Sequence, residues 1–348
     1  MRILHTSDLH LRADSKLAIS SVKAVFQVAE SEHVDLVTIG GDIFQSEKDA
    51  DMLRPDLRRL FQGHAFRVIA IPGNHDGSVF TKGFDFGFEV CEEAPYREYK
   101  FGDVSLIALP YIDAPTDALL LQLKSAGLSA HKRILLAHCT IDLGFGGGSF
   151  GEEGSQRYFP VSREILSELG FDYVLAGHFH SHYEIAQLRS GGRFAYSGSP
   201  VSHSWKELGR RHVLLLDTDT GIINPFPLTC HYCDKKELIV SPGRETGVVD
   251  ELARWYDGKK DDDCQLQVVV RGVIQENESK LKKSLERAAP KADLDFKCRD
   301  VTQILSHRLY RTFKEKLNSS QQIRYKDEVD QVVLEIMSAL LAGGRLST

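Results

Sequence analysis

The chain of 348 residues has no apolar run long enough to cross a membrane. Its first residues also lack the apolar core and small-residue cleavage site of a signal peptide, because polar residues follow Ile3 and Leu4 directly. We therefore expect a cytoplasmic protein that has no membrane partner.

The sequence also lacks a cysteine framework. Its 6 cysteines follow no regular spacing, and Cys230 and Cys233 have no second pair to complete a structural zinc site. Reduced, unpaired thiols are expected. The nucleotide-binding motif GxxxxGK[ST] is absent as well, so any dependence on ATP would have to come from a partner.

An excess of positive charge, common in nucleic-acid-binding proteins, is missing too. The formal net charge is −6, which by itself argues mildly against a nucleic-acid partner. The charge is unevenly distributed, since residues 1–234 have 22 basic and 30 acidic side chains, whereas residues 301–348 have 7 and 5. Bound divalent cations would offset part of the acidic excess in the first half.

Short apolar runs, each followed by a polar or glycine-rich turn, recur through the first 230 residues. They are RILHT (2–6), DLVTI (35–39), RVIAI (67–71), VSLIAL (104–109), RILLA (133–137) and YVLA (173–176). Continuous apolar runs are typical of strands buried on both faces, and together with the intervening helical patterns they predict a layered α/β domain. The closely spaced strands after His182 are expected to complete a sheet in antiparallel fashion.

The pattern changes near residue 234, which predicts three domains. Residues 1–234 would form the catalytic domain, and residues 235–300 a small α+β domain that caps it. Residues 301–348 would contain two amphipathic helices joined by a loop at 318–320. Their apolar faces could pack on their own domain or on a partner, and the sequence leaves both readings open.

Residues that can bind metal follow five of the predicted strands. They are Asp8, His10, Asp42, Asn74, His138, His178 and His180. Each alone has a simpler explanation, such as a helix cap, a turn or a buried core histidine. Because the carboxyl ends of strands meet at one edge of an α/β sheet, however, all seven are expected to converge there.

Seven ligands are too many for one ion that also leaves room for substrate, so we predict two divalent ions. Four side chains, Asp8, His10, Asp42 and His180, would hold the first. Asn74, His138 and His178 would hold the second together with Asp42, whose carboxylate would bridge the pair. Two ions about 3.5–4 Å apart can activate water and clamp a phosphoryl group. Oxygen and nitrogen ligands suit Mn²⁺, Fe or Zn²⁺ without choosing among them, and Mg²⁺ also stays open.

Five motifs in this order, TSDLHL, GGDIF, PGNHD, the histidine after RILLA, and GHFH, resemble the calcineurin-like metallophosphoesterase superfamily over about residues 1–230. A narrower resemblance is to the SbcD-type double-strand-break repair nucleases. It rests on the opening MRILHTSDLHL, on GGDIF, on YSGSPVSHSWKELGRRHVLLLD (196–217) and on the appended C-terminal module.

The resemblance implies a β-sandwich flanked by helices. It also implies metal-dependent cleavage of DNA, usually with Mn²⁺, by 3′–5′ exonuclease and single-strand endonuclease activities. The implied partners are DNA, a second copy of the chain in a homodimer, and an SMC-like ATPase of the SbcC type. Segment 51–62, which has an amphipathic pattern, could form part of such a dimer.

Further residues have candidate roles in catalysis and DNA binding. His75 could stabilise or protonate the leaving 3′ oxygen, and Asp76 could orient it or simply belong to the turn. Gln45 stands where several family members have a histidine; it could bind phosphate but could not carry a proton. Lys280 and Lys283 could contact phosphates or belong to a solvated helix face.

Three readings of the whole chain compete. The leading one is a DNA nuclease, and the second is a phosphodiesterase for cyclic nucleotides or other small esters on the same core. The third is a scaffold without catalysis, which the complete ligand set argues against. The glycine-rich segment 144–154 is expected to be a connector, with a substrate-contacting lid as the minority reading. His182 is not expected to bind metal, because both ligand sets are complete without it.

Overall fold

The computed structural model describes residues 1–80, 83, 85–141, 159–275 and 277–342. Its backbone contacts divide the chain into two units, Met1–Cys233 and Asp234–Thr348. The predicted division into three domains, with a cap formed by residues 235–300, stays a prediction. Segment 144–154, for which connector and lid were the alternatives, lies outside the described residues. Within those residues, no helix combines the length and apolar character needed to span a bilayer.

Among its described residues, the first unit contains fourteen strands and four helices. Its strands are β1 (Arg2–Thr6), β2 (Leu36–Ile39), β3 (Arg67–Ala70), β4 (Glu89–Val90), β5 (Arg97–Phe101), β6 (Val104–Leu109), β7 (Lys132–His138), β8 (Thr140–Ile141), β9 (Pro160–Val161), β10 (Tyr173–Gly177), β11 (Glu184–Gln187), β12 (Arg193–Tyr196), β13 (His212–Asp217) and β14 (Ile222–Pro227). Its helices are α1 (Lys16–Ser31), α2 (Glu47–Phe61), α3 (Asp117–Ser125) and α4 (Arg163–Leu169).

Two mixed sheets pack face to face in the first unit. One has the strand order β14-β13-β1-β2-β3-β4 and the other β11-β12-β10-β7-β6-β5. Aliphatic side chains from both sheets, among them Ile3, Leu36, Ile134 and Leu175, fill the space between them and are fully buried. Each such side chain contributes about 1.5–3 kcal/mol by leaving water.

Helices cover the outer faces of the two sheets. The apolar sides of α1 and α2 pack on the first sheet, and those of α3 and α4 pack on the second. The predicted α/β fold class is therefore confirmed, as helices and sheets in layers. One detail of the sequence interpretation is wrong. The strands after His182 do not complete one sheet, because β12 runs parallel to β10 whereas β13 inserts antiparallel to β1 in the opposite sheet.

Helix α2 begins at a capping residue and buries one face. Ser46 accepts a hydrogen bond from the backbone amide of Asp49, which satisfies one of the first free amides of the helix. Leu53 and Leu57 are buried in their own domain, whereas Met52 is 59% exposed. Most of the apolar face that could have served a dimer interface is thus used within the chain.

The second unit contains a three-stranded sheet with helices. Its elements are β15 (Tyr232–Val240), which begins two residues before the unit, α5 (Glu245–Asp257), β16 (Cys264–Ile274), α6 (Glu278–Ala288), β17 (Ala292–Asp300), α7 (Thr302–Ser306), α8 (Arg308–Ser319) and α9 (Lys326–Ala342). The sheet has the order β15-β16-β17, and α5 and α6 pack against it.

The C-terminal helices differ from the sequence expectation. The helix expected from residue 301 to the loop at 318 is interrupted at His307, whose extended backbone (φ −70°, ψ 135°) separates α7 from α8. Val301, Ile304 and Leu334 are buried together with Val273 of β16. Part of the apolar stripe therefore packs on its own unit, although Leu309 stays 58% exposed.

Candidate metal centre

The predicted ligands lie where strands of both sheets end. Asp8 and His10 follow β1, Asp42 follows β2 and Asn74 follows β3, all in the first sheet. His138 ends β7, and His178 and His180 follow β10, in the second sheet. The predicted ligands thus come from two facing sheets rather than from the edge of one.

Four of these side chains form a tight buried group: Asp8, His10, Asp42 and His180. Their ligand atoms all lie within 4.8 Å of one another. The Nε2 atoms of His10 and His180 are 3.2 Å apart, and His180 Nε2 is 3.5 Å from Asp8 Oδ1. Two nitrogens bound to one ion at about 2.1 Å and a right angle would be about 3.0 Å apart. The spacing therefore suits a shared ion.

A second group lies on the other side of Asp42. His138 Nε2 is 2.9 Å from Asn74 Oδ1 and 3.4 Å from Asp42 Oδ2. The rings of His138 and His178 are 5.4 Å apart. His138 Nδ1 donates to the carbonyl of Gly40, which accepts only, so Nε2 is the nitrogen left for a ligand.

One buried polar atom without a hydrogen bond supports a fit to metal ions. It is Asp42 Oδ2, one of several such atoms among the described residues. Asp42 Oδ2 lies 3.7 Å from His10 Nε2 and 3.4 Å from His138 Nε2, between the two groups. A buried carboxylate oxygen without a partner is costly, and an ion would remove that cost. The donor set fits one pair of divalent ions; ion binding by these residues stays a prediction.

The backbone at this site is held in an unfavourable conformation. Asp8, His10, Asp42 and His178 all have positive φ, from 40° to 103°. Such angles are uncommon outside glycine and cost energy, so they persist only where the surrounding structure fixes them. Part of that fixation is visible, because the amide of His178 donates to both Asp8 oxygens at 3.0 and 3.1 Å.

Glycine allows the loops of the site to touch. A Cβ at Gly73 would collide with the Asp42 carboxylate, and one at Gly177 would collide with the Gly40 carbonyl. These glycines therefore allow close contact between loops and with the predicted ligand side chains.

Mutual electrostatics set the protonation of the cluster. Burial disfavours the charge on Asp8, but His180 outweighs it and lowers the Asp8 pKa to about 2. Burial likewise opposes protonation of His138, but the nearby Asp42 raises the His138 pKa to about 9. Burial and the neighbouring His180 lower the pKa of His10 to about 3. The carboxylates of Asp8 and Asp42 are thus ionised and are available to cations.

His75 and Asp76 lie in the turn after β3. The His75 ring stands edge-on to that of His10 at 4.9 Å, and its backbone amide donates to Asp42 Oδ1 at 2.9 Å. Asp76 is fully buried and accepts hydrogen bonds from the amides of Ile43, Phe44 and Gly73. Asp76 thus ties two ligand loops together, and direct orientation of His75 by Asp76 stays a prediction.

Four other residues named from the sequence lie on the surface. Gln45 is exposed next to buried Phe44. Lys280 and Lys283 are exposed on α6 in the second unit, so their contact with DNA stays a prediction. His182 is exposed, packs its ring against Phe179 at 5.1 Å, and is not a member of the buried group that contains His180.

The sequence interpretation missed three polar residues close to the cluster. The ring of His203 lies 5.2 Å from that of His10, and its Nε2 is 3.3 Å from the Asp8 carbonyl. Glu207 and Arg211 are buried against His180. A metal-binding histidine usually donates its second nitrogen to a carboxylate, but this rule does not say where in the sequence that carboxylate stands.

Comparison with known proteins gives one family. A family profile described as calcineurin-like phosphoesterase matches residues 1–182. The SbcD component of the SbcCD nuclease of Staphylococcus epidermidis is 26% identical over 248 residues, which cover 60% of this chain and 64% of that protein. The match therefore spans less than two thirds of the relative's length.

Solved structures with similar folds include two phosphoesterases. A dimetal phosphatase from Danio rerio superposes with a TM-score of 0.45 and 12% identity, over 62% of this chain and 91% of that one. The phosphoesterase YfcE from E. coli gives a TM-score of 0.32 and 16% identity, over 63% of this chain and 90% of that one.

Proposed function

The chain belongs to the calcineurin-like phosphoesterase family and is a metal-dependent hydrolase, and we propose that it cleaves phosphodiester bonds in DNA with two divalent ions. The observation that carries the proposal is the shared position of Asp42. Its Oδ2 lies between His10 and His138, within 3.7 Å of both Nε2 atoms, and has no hydrogen bond of its own. A bridging carboxylate in this place divides the ligands into two sets.

Each set would hold one ion. Asp8, His10 and His180 would bind the first, and Asn74, His138 and His178 the second, with Asp42 common to both. When bound, such ions supply an activated water and stabilise the charge on a phosphoryl group. Mn²⁺ is the proposed ion, by resemblance to the SbcD-type nucleases.

His75 is proposed to act on the leaving oxygen. Its side chain is only partly buried, beside His10, while its backbone is fixed by the hydrogen bond to Asp42. A histidine held there could donate a proton to the leaving 3′ oxygen, since its unperturbed pKa lies near neutral pH. Asp76 would keep His75 in place through the turn.

Two features support DNA as the substrate. The relative from Staphylococcus epidermidis carries the name of a nuclease component. In addition, Trp205 is 44% exposed and lies two residues from His203, whose ring contacts that of His10. An exposed indole is suited to stacking on a nucleobase. The second unit, with Lys280 and Lys283, is proposed to contact the phosphate backbone.

The proposal extends to partners. Because the relative is named as a subunit of the SbcCD nuclease, the chain is proposed to work with a second protein. The resemblance implies an SMC-like ATPase of the SbcC type. Homodimer formation through segment 51–62 is also proposed by resemblance. Met52 is an exposed large apolar side chain of that segment.

One assay separates the readings. Purified protein with Mn²⁺ is incubated with end-labelled linear duplex, with a single-stranded oligonucleotide and with a small chromogenic diester, in parallel with Asp42→Asn. A nuclease degrades the DNA substrates, and the variant loses at least about a hundredfold in rate. Cleavage of the small diester alone would indicate a small-molecule phosphodiesterase. No cleavage of any substrate would indicate a scaffold, and either result would refute the proposal.

A further inference from the structure

We propose that Glu207 is a positioning residue that orients His180 and sets the affinity of the first ion. Glu207 follows a turn between β12 and β13 and lies 27 residues after His180 in the sequence. The proposal rests on the two-ion centre proposed above, and metal affinity and DNA cleavage are measured separately so that the two can fail separately.

The contacts of Glu207 involve both of its carboxylate oxygens. The side chain is fully buried, and Oε1 lies 3.1 Å from His180 Nδ1. The other oxygen, Oε2, accepts from the backbone amide of His203 at 2.8 Å and from Ser199 Oγ at 3.4 Å. The hydrogen bonds to Oε2 therefore fix the orientation of the carboxylate independently of its contact with the imidazole.

This contact selects the tautomer of His180. An ionised carboxylate only accepts hydrogen bonds, so His180 Nδ1 must carry the proton and donate it. When the ring is neutral, as it would be with an ion bound, its lone pair is on Nε2, which lies 3.5 Å from Asp8 Oδ1 and 3.2 Å from His10 Nε2. A carboxylate behind a ligand histidine also makes the ring a stronger donor to metal.

The backbone of His180 is held from the same segment. Arg211 is 2% exposed, and its guanidinium donates to the carbonyl oxygens of His180, Ser181 and Ser199. The amide of Ser199 donates to the His180 carbonyl at 3.2 Å. Residues 199–211 therefore fix both the imidazole and the main chain of His180. A small shift of Glu207 would move the His180 ring within the proposed metal centre.

The test measures metal affinity rather than turnover. Apo protein prepared with a chelator is titrated with Mn²⁺ for the wild type, Glu207→Gln and Glu207→Ala. We expect two ions in the wild type. Glutamine can still accept from Nδ1, but its amide would oppose the His203 amide, so one ion should bind about 10-fold more weakly. Alanine removes the acceptor, and the loss should reach about 100-fold. The second ion should keep its affinity.

The matched control is Glu245→Gln. Glu245 is also a buried carboxylate, and it accepts from the amide of Gln275 in the second unit. This control should bind both ions as the wild type does. Thermal melting in chelator shows whether each variant folds, and Glu207→Gln keeps the test valid if the alanine variant does not.

Three results would count against the inference. Unchanged affinity for both ions in a folded Glu207 variant would refute the positioning role. Equal weakening of both ions would show a general structural role instead. If the wild type bound two ions but left DNA intact, the nuclease proposal would fail. The affinities of the Glu207 variants would then still decide the positioning role of Glu207. A wild type without ions would overturn both.

Discussion

His5 offers a quantitative test of how the two sheets are joined. It is the second-last residue of β1, is fully buried, and has its Nε2 3.1 Å from the carbonyl of Ala176 in the opposite sheet. Its Nδ1 is 3.0 Å from the hydroxyl of Thr38. Because the carbonyl only accepts, Nε2 carries the proton and Nδ1 accepts from the hydroxyl, so the ring is neutral and fully paired.

Burial lowers the pKa of His5 from 6.5 to about 4, against the opposing effect of its hydrogen bonds. The folded protein therefore keeps His5 neutral at a pH where the unfolded chain protonates it. The contribution of neutral His5 to the free energy of unfolding is fully present above about pH 6.5 and is lost as the pH falls toward about 4. At about pH 5 the loss amounts to 1.5 pKa units, or about 2 kcal/mol.

The perturbation is His5→Gln, which keeps a donor and an acceptor but cannot take up the proton. Urea unfolding is measured near pH 7.5 and near pH 5 in chelator, with the fluorescence of Trp205 as probe in a Trp255→Phe background. His5→Gln should be less stable than the wild type near pH 7.5, and the gap should shrink by about 2 kcal/mol near pH 5. The control His131→Gln replaces an exposed histidine. Its difference in stability from the wild type should be the same at both pH values. A His5→Gln gap of the same size at both pH values would refute the reasoning.

Two further predictions concern the metal centre. Gly73→Ala places a Cβ against the Asp42 carboxylate, so both ions should be lost in equilibrium dialysis. The control is Gly247→Ala, which lies in α5 with open space around it and should keep both ions. It should stabilise the protein by about 0.5–1 kcal/mol. Loss of ions in both variants would contradict the steric argument. His182→Gln should retain two ions, whereas His178→Gln should lose one, and loss of an ion from both would place His182 in the centre.

Much of the candidate site could be predicted because the residues proposed as its ligands follow strands. A buried strand leaves a clear apolar run, and the polar residue that comes next is conspicuous in the sequence. This holds for Asp42 after LVTI and for His178 after YVLAG. The facing sheets could not be anticipated in the same way, because apolar runs buried on both faces occur in open sheets and in sandwiches alike.

Residues that act through a ligand left no comparable signal. Glu207 stands in an irregular segment and has no periodic apolar neighbours that would mark it as buried. A single glutamate in such a context is normally solvated, so the expectation from sequence is exposure. Its burial depends on the tertiary contact with His180 and on the guanidinium of Arg211, which are brought there by a chain reversal that no local pattern encodes.

The break in the C-terminal helices has a similar cause. The apolar positions Val301, Leu305, Leu309 and Phe313 follow at steps of four and predict one helix. In the structure, Val301 and Ile304 pack against β16 while Tyr310 packs against the last helix. The His307 side chain accepts from the amide of Leu309 and starts a new helix there. Tertiary packing outweighs the weak preference of the sequence for continuity.

The histidines of AGHFHSH show how geometry distinguishes identical residues. Alternation in a strand would have placed His178, His180 and His182 on one face. The strand β10 ends at Gly177, however, and His178 has φ 103°, which turns the chain at the first histidine. From there each residue has its own contacts. The backbone amide of His178 donates to Asp8, the His180 ring contacts Glu207, and the His182 ring packs against Phe179. A ligand role therefore follows from what fixes each residue rather than from its spacing.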